Sequence, residues 1–135
     1  MPVAHVPLNA VIRFSEVMLS REAFEALLAL TLYRFEPSRA GIAHYAQINM
    51  PEGSSWDDFA ELIDRLGPVI RPYLERGEIA RPCADVALYF DKDMASASLL
   101  IPYEAALAVG RWGFDLEVSA YITSPKWRPL SPSPR

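Results

Sequence analysis

The chain has 135 residues, 51% of them hydrophobic and 22% charged, and a formal charge of −4. One domain of that size and apolar content buries a core without metal or disulfide staples, which excludes wholesale disorder. Of the 13 basic groups, Lys126, Arg128 and Arg135 lie in a tail without acids, leaving 10 against 17 acidic groups over 1–125, a formal −7 that disfavours nucleic-acid binding.

Residues 9–14 read as a first strand, with Ala10, Ile12 and Phe14 inward and Asn9, Val11 and Arg13 outward. Ser20 offers a cap to a helix over 21–30, whose apolar face is Phe24, Leu27, Leu28 and Thr31 and whose first turn holds Glu22. Pro37, Ser38 and Gly41 make 34–41 a loop. Alternation over 42–50 predicts a second strand, with Ile42, His44, Ala46, Ile48 and Met50 opposed to Ala43, Tyr45, Gln47 and Asn49. A turn over 51–55 ends in Ser55, which with Asp58 three residues on makes a near capping box, and Asp57 adds negative charge at the helix start. Phe59, Leu62, Ile63 and Leu66 form the stripe of that helix. Gly67 and Pro68 interrupt it before Val69, Ile70, Tyr73 and Leu74 resume, predicting a helix kinked at Pro68 or two short helices in series.

Strands over 83–91 and 95–101, joined by the polar link 91–94, predict a hairpin. Pro102 sits where a helix start tolerates proline, ahead of a short helix over 103–111. The closing strand over 114–123 alternates throughout. Phe114, Leu116, Val118, Ala120 and Ile122 point one way; Asp115, Glu117, Ser119, Tyr121 and Thr123 point the other. Such a strand is expected to lay its apolar side on a core and leave its polar side uncovered. The domain is expected over 1–124, with a proline-rich tail over 125–135 in which Trp127 either docks back or meets a partner.

The order β-α-β-α-β-β-α-β predicts an α+β two-layer sandwich, its sheet mainly antiparallel and its helices on one face. A doubly wound nucleotide-binding fold is disfavoured because no Gly-rich strand-to-helix turn is present. The opening residues lack the basic and apolar regions of a secretory signal, and no apolar run approaches the roughly 18 residues of a membrane span. A cytoplasmic location away from membranes is the expectation.

Catalytic chemistry finds little to work with. His44 has no nucleophile elbow or orienting acid around it in the sequence, and His5 sits between Pro2 and Pro7 in an N-terminal arm. No H-E-x-x-H or C-x-x-C spacing supports a metal, and Asp85, Asp91 and Asp93 lack the ligand count of a calcium loop. Cys83, the single cysteine, reads as a buried inert thiol. No enzyme, cofactor or metal site is therefore expected. What does gather is recognition chemistry: laid with apolar sides on the helices, the strands bring Asp85, Tyr89, Ser96, Ser98, Glu117, Ser119 and Tyr121 to the uncovered face. Any solvated sheet face is polar, but tyrosines beside acids offer large rigid area with hydrogen-bonding tips. Asp85, Tyr89, Asp91, Glu117 and Tyr121 are the expected partner-binding residues.

The loop Pro37-Ser-Arg-Ala-Gly41, the helix segment Asp64-Arg-Leu-Gly-Pro-Val-Ile-Arg-Pro-Tyr-Leu74 and the segment Leu100-Ile-Pro-Tyr-Glu-Ala-Ala-Leu-Ala-Val-Gly110 before a closing strand resemble a family of small bacterial proteins known as domain of unknown function 4279. The resemblance spans most of 8–123 and supplies no catalytic residues. Small acidic bacterial domains of this kind are similar to immunity proteins, which implies a non-catalytic module that neutralises a toxin or effector by occluding its active site. The implied partner is a basic protein. The alternative is a small-molecule or regulatory domain with a pocket around His44, Tyr45 and Trp56.

Overall fold

The computed structural model describes residues 9–39 and 41–123. The expected tail with Trp127, and His5, lie outside them. The elements run β1 (Ala10–Val17), α1 (Arg21–Leu28), β2 (Arg34–Glu36), β3 (His44–Asn49), α2 (Trp56–Glu75), β4 (Cys83–Asp91), α3 (Tyr103–Arg111) and β5 (Asp115–Thr123). The fold is α+β: one open, mostly antiparallel sheet in the order β2-β3-β1-β4-β5, with three helices.

The order of elements is corrected to β-α-β-β-α-β-α-β, because two expectations fail. Residues 34–36, expected in a loop, form a short strand against β3, with Phe35 opposite Ala46. Residues 95–101 form no strand, and the expected hairpin is absent. Instead β4 pairs in parallel with β5, Asp85 opposite Glu117 and Tyr89 opposite Tyr121. Parallel neighbours need a long crossover, and α3 with its flanking segments supplies it.

The core lies on one side of the sheet. Ile12 and Phe14 of β1, Ala46 and Ile48 of β3, and Ala84 and Val86 of β4 meet Phe24 and Leu28 of α1 and Phe59, Ile63, Leu66 and Ile70 of α2. Phe14 and Phe24 are in edge-to-face contact, centroids 5.0 Å apart. A bulge between Phe14 and Val17 keeps both inside while Ser15 and Glu16 stay out. Among the described residues no helix packs on the opposite face.

Local signals set the helix ends. Ser20 accepts the Ala23 N–H at the start of α1, and Ser55 and Asp58 form a reciprocal capping box at the start of α2. Within α1, Glu25 accepts the N–H of Leu32 just beyond the helix (2.9 Å) and a bond from Arg21; the backbone donor is the main reason its carboxyl is held below the ordinary glutamate pKa.

α2 is one continuous helix across Pro68 and Pro72, not two pieces. Both prolines lie on its exposed side, where carbonyls one turn earlier can take solvent in place of the missing N–H groups. Gly67 has a packing role: a Cβ there would overlap Cγ and Cδ2 of Trp112. Trp112, just past α3, lies across α2 and donates its indole N–H to Asp64 (2.9 Å), which Arg111 also reaches (2.9 Å). Gly67→Ala gains about 1 kcal/mol of helix propensity but overpacks the contact at a cost of about 1–3 kcal/mol. Urea unfolding should therefore show a net loss of stability for Gly67→Ala, and a smaller loss for the same change made in a Trp112→Ala background, where the ring overlap is gone and only the close approach of the residue 112 Cβ (2.8 Å) remains.

One expectation about the closing strand is overturned. Phe114 is buried, but Val118 is 45% and Ile122 62% exposed, and Leu116 and Ala120 are exposed as well. β5 is the edge strand, and α3 turns its buried residues Ala105, Ala108 and Val109 into the core beside α2 without roofing it. Alternation separates two sides of β5, but among the described residues no helix covers the apolar one.

Candidate recognition face

The face opposite the helices is built by the alternate residues of β3, β1, β4 and β5. Once Ile12 and Phe14 face the core, Val11 and Arg13 must emerge on the other side. Register then sets Val11 between Asn49 and Asp85, and Asp85 beside Glu117.

Its centre is an ion-pair cluster. Arg13 Nη2 lies 3.0 Å from Asp85 Oδ2 and also pairs with Glu117. The second oxygen of Asp85 accepts the Ser119 hydroxyl at 2.7 Å. Asp85 is only 7% exposed, the one buried charged residue among those described. A carboxylate so desolvated is tolerable because both oxygens are engaged. Burial acts to lower the Arg13 pKa, but the field of Asp85, aided by Cys83 and Glu117, outweighs it and the guanidinium is held charged above its ordinary value.

The small side chain of Ala87 separates this cluster from an aromatic pair. Tyr89 and Tyr121 stack, centroids 5.4 Å apart and planes 27° apart, while remaining 46% and 50% exposed. Asn9 donates to the Tyr89 hydroxyl at 3.0 Å, fixing one ring of the pair. Asp91 lies on the same side of β4, half-buried at the strand end, where its carboxylate accepts the Asp93 N–H (3.4 Å). The five expected partner-binding residues thus share one face, though Asp85 is turned to internal pairing and the exposed chemistry falls to Tyr89, Tyr121 and Glu117.

Ser96 and Ser98, expected on this face, lie in the irregular segment after β4. There they line a cleft of about 370 Å³ with Asn9, Trp56, Tyr89 and Met94. Among the described residues, His44 and Tyr45 face opposite sides of β3 and so do not join Trp56 around one pocket between sheet and helices. His44 accepts the Ser38 N–H on Nδ1 and lies against Phe35, whereas Tyr45, next in the strand, faces the other way. Its hydroxyl donates to Gln47, whose amide donates to Asn49 (2.8 and 2.7 Å), and Arg34 lies over its ring. This polar ladder extends the face across β3. Alternation had put Tyr45, Gln47 and Asn49 together, but the pairing of β3 with β1 that joins them to the cluster was not readable from one strand alone.

Among the described residues no group of three metal-ligating side chains gathers, and no helix is long and apolar enough to cross a membrane. A wider cleft of about 640 Å³ is lined by Arg71, Arg81, Arg111 and Trp112, but each arginine is spent on an acid: Glu75, Asp115 and Asp64 respectively. Comparisons with protein-family models, curated proteins and solved structures give no match.

Cys83 borders the ion-pair cluster, its sulfur 3.7 Å from Glu117. Burial pushes its thiol above the ordinary value; Glu117 adds to the rise and Arg13 opposes it. The midpoint of the alkylation-rate profile against pH should therefore move up in Arg13→Met and down in Glu117→Gln. Arg13→Met should also cost about 1–3 kcal/mol of stability by leaving one Asp85 oxygen unpaired.

Proposed function

We propose that this chain is a non-catalytic protein-binding module that acts through the open sheet face, and that it is an immunity protein of the bacterial cytoplasm. It neutralises a toxin or effector by occluding a basic active site. The observation that carries the reading is the stacked, half-exposed Tyr89–Tyr121 pair beside Glu117. Rigid aromatic area with few rotatable bonds is the material of binding hot spots, and the adjacent acid supplies attraction to a cationic cleft. In this reading Asp85 positions: it holds Arg13, and Arg13 in turn orients Glu117. Asp91 adds negative charge at the rim. The −7 body contributes long-range steering of a basic partner, which gives fast association that salt slows. The resemblance to domain of unknown function 4279 and to immunity proteins is in keeping with it.

The cleft beside Trp56 and Tyr89 favours a second reading, a small-molecule or regulatory domain. One set of variants separates the two. Co-expression with the product of the adjacent gene should give a complex and protection of the cell. Tyr89→Ala and Tyr121→Ala should each weaken that complex about tenfold or more with the fold intact, and Trp56→Ala should leave it unchanged. Absence of both binding and protection removes the immunity reading, and a melting point raised by a small metabolite alone favours the second.

A further inference from the structure

The free edge of β5 is complementary to itself. Asp115 donates its backbone N–H to the Pro82 carbonyl at 2.9 Å and is the register partner of Cys83. Backbone groups alternate sides along a strand, so Asp115, Glu117, Ser119 and Tyr121 aim their N–H and C=O groups at β4. Leu116, Val118, Ala120 and Ile122 therefore aim theirs outward, where no described strand receives them. The same four residues form the exposed apolar row on the helix side of the sheet. One run thus has both unmet backbone groups and unburied apolar side chains. The edge also lacks the usual protections: β5 has no proline, no lysine and no bulge against β4.

We infer that β5 pairs antiparallel with β5 of a second copy of this chain, about a two-fold axis through Ser119. Only registers that keep each side of the sheet aligned satisfy the apolar row, and the one centred on Ser119 matches the strand along its full length. It sets Leu116 opposite Ile122 and Val118 opposite Ala120 of the second copy, apolar against apolar. On the other side Glu117 meets Tyr121 and Ser119 meets itself, so no acid of this run faces an acid. Each outward residue of 116–122 exchanges an N–H and a C=O with its counterpart, and both sheets join into one. A second copy is favoured over an unrelated strand because the hydropathy alternation reads the same from either end, and because the two acids, Asp115 and Glu117, then meet uncharged Thr123 and Tyr121, as a self-complementary isologous interface requires. The pairing does not depend on the proposed recognition role: its backbone bonds and apolar row lie on the edge and helix side of β5, and on the open face it sets Glu117 and Tyr121 beside their counterparts across the seam.

Sedimentation equilibrium of the full chain, over about a hundredfold range of concentration reaching about 100 µM, tests this. The parent should reach the mass of two chains. Val118→Lys and Ala120→Glu should each sediment as one chain with unchanged circular dichroism. An equimolar mixture of the two variants should regain the two-chain mass, because the new lysine then lies opposite the new glutamate. A parent that stays at one-chain mass, whether residues 124–135 or another protein's strand occupies the edge, overturns the proposal. So do variants that keep the two-chain mass, or variants that fail to recombine.

Discussion

The burial of Ile12 and Phe14 against α1 and α2 decides on which side of the sheet Arg13 emerges. β1 is central, paired with both β3 and β4, so its register is shared by the strands around it. A slip of one residue would drive Arg13 into the space held by Phe14, Phe24 and Phe59, and a lone charge there costs far more than the strand pairing returns. With that choice made, the rest of the open face follows by register. Arg13 reaches Asp85 and Glu117, Asp85 takes the Ser119 hydroxyl, and the parallel alignment that places Asp85 beside Glu117 also stacks Tyr89 on Tyr121. The apolar packing below and the polar arrangement above are two sides of one pleat.

The parts of this fold that depend on neighbours in sequence were legible in it. Ser20 and Ser55 cap the helices expected of them, and the strands at 9–14, 42–50, 83–91 and 114–123 appear with modest changes of boundary. What depends on distant chain was not. Residues 34–36 are a strand only because β3 offers its edge; three residues ahead of a proline carry no readable period. The polar link 91–94 suggests a hairpin to a strand over 95–101, but β4 takes β5 as its partner after the crossover through α3. Gly67 and Pro68 read as a break, when Gly67 admits the Trp112 ring and Pro68 sits on the solvent side of an unbroken helix.

β5 shows the limit most clearly. Alternation records that two sides of a strand differ in polarity, and it cannot say that anything covers the apolar one. That depends on where α3 comes to rest, and the Trp112 and Arg111 bonds to Asp64 hold the end of α3 to α2. The candidate site was legible to the same degree. Asp85, Tyr89, Asp91, Glu117 and Tyr121 do share a face, since period two alone is enough for that. Which of them is buried required the cross-strand reach of Arg13 and Ser119, a matter of register between strands over a hundred residues apart in one case.

Recognition through the open face requires a sheet shielded on one side, and hydroxyl-radical footprinting of the free 135-residue chain measures that directly. Tyr89 and Tyr121 should be oxidised rapidly, while Phe14, Phe24 and Phe59 stay protected until the chain unfolds. Protection of Tyr89 and Tyr121 as strong as that of the three phenylalanines would contradict it.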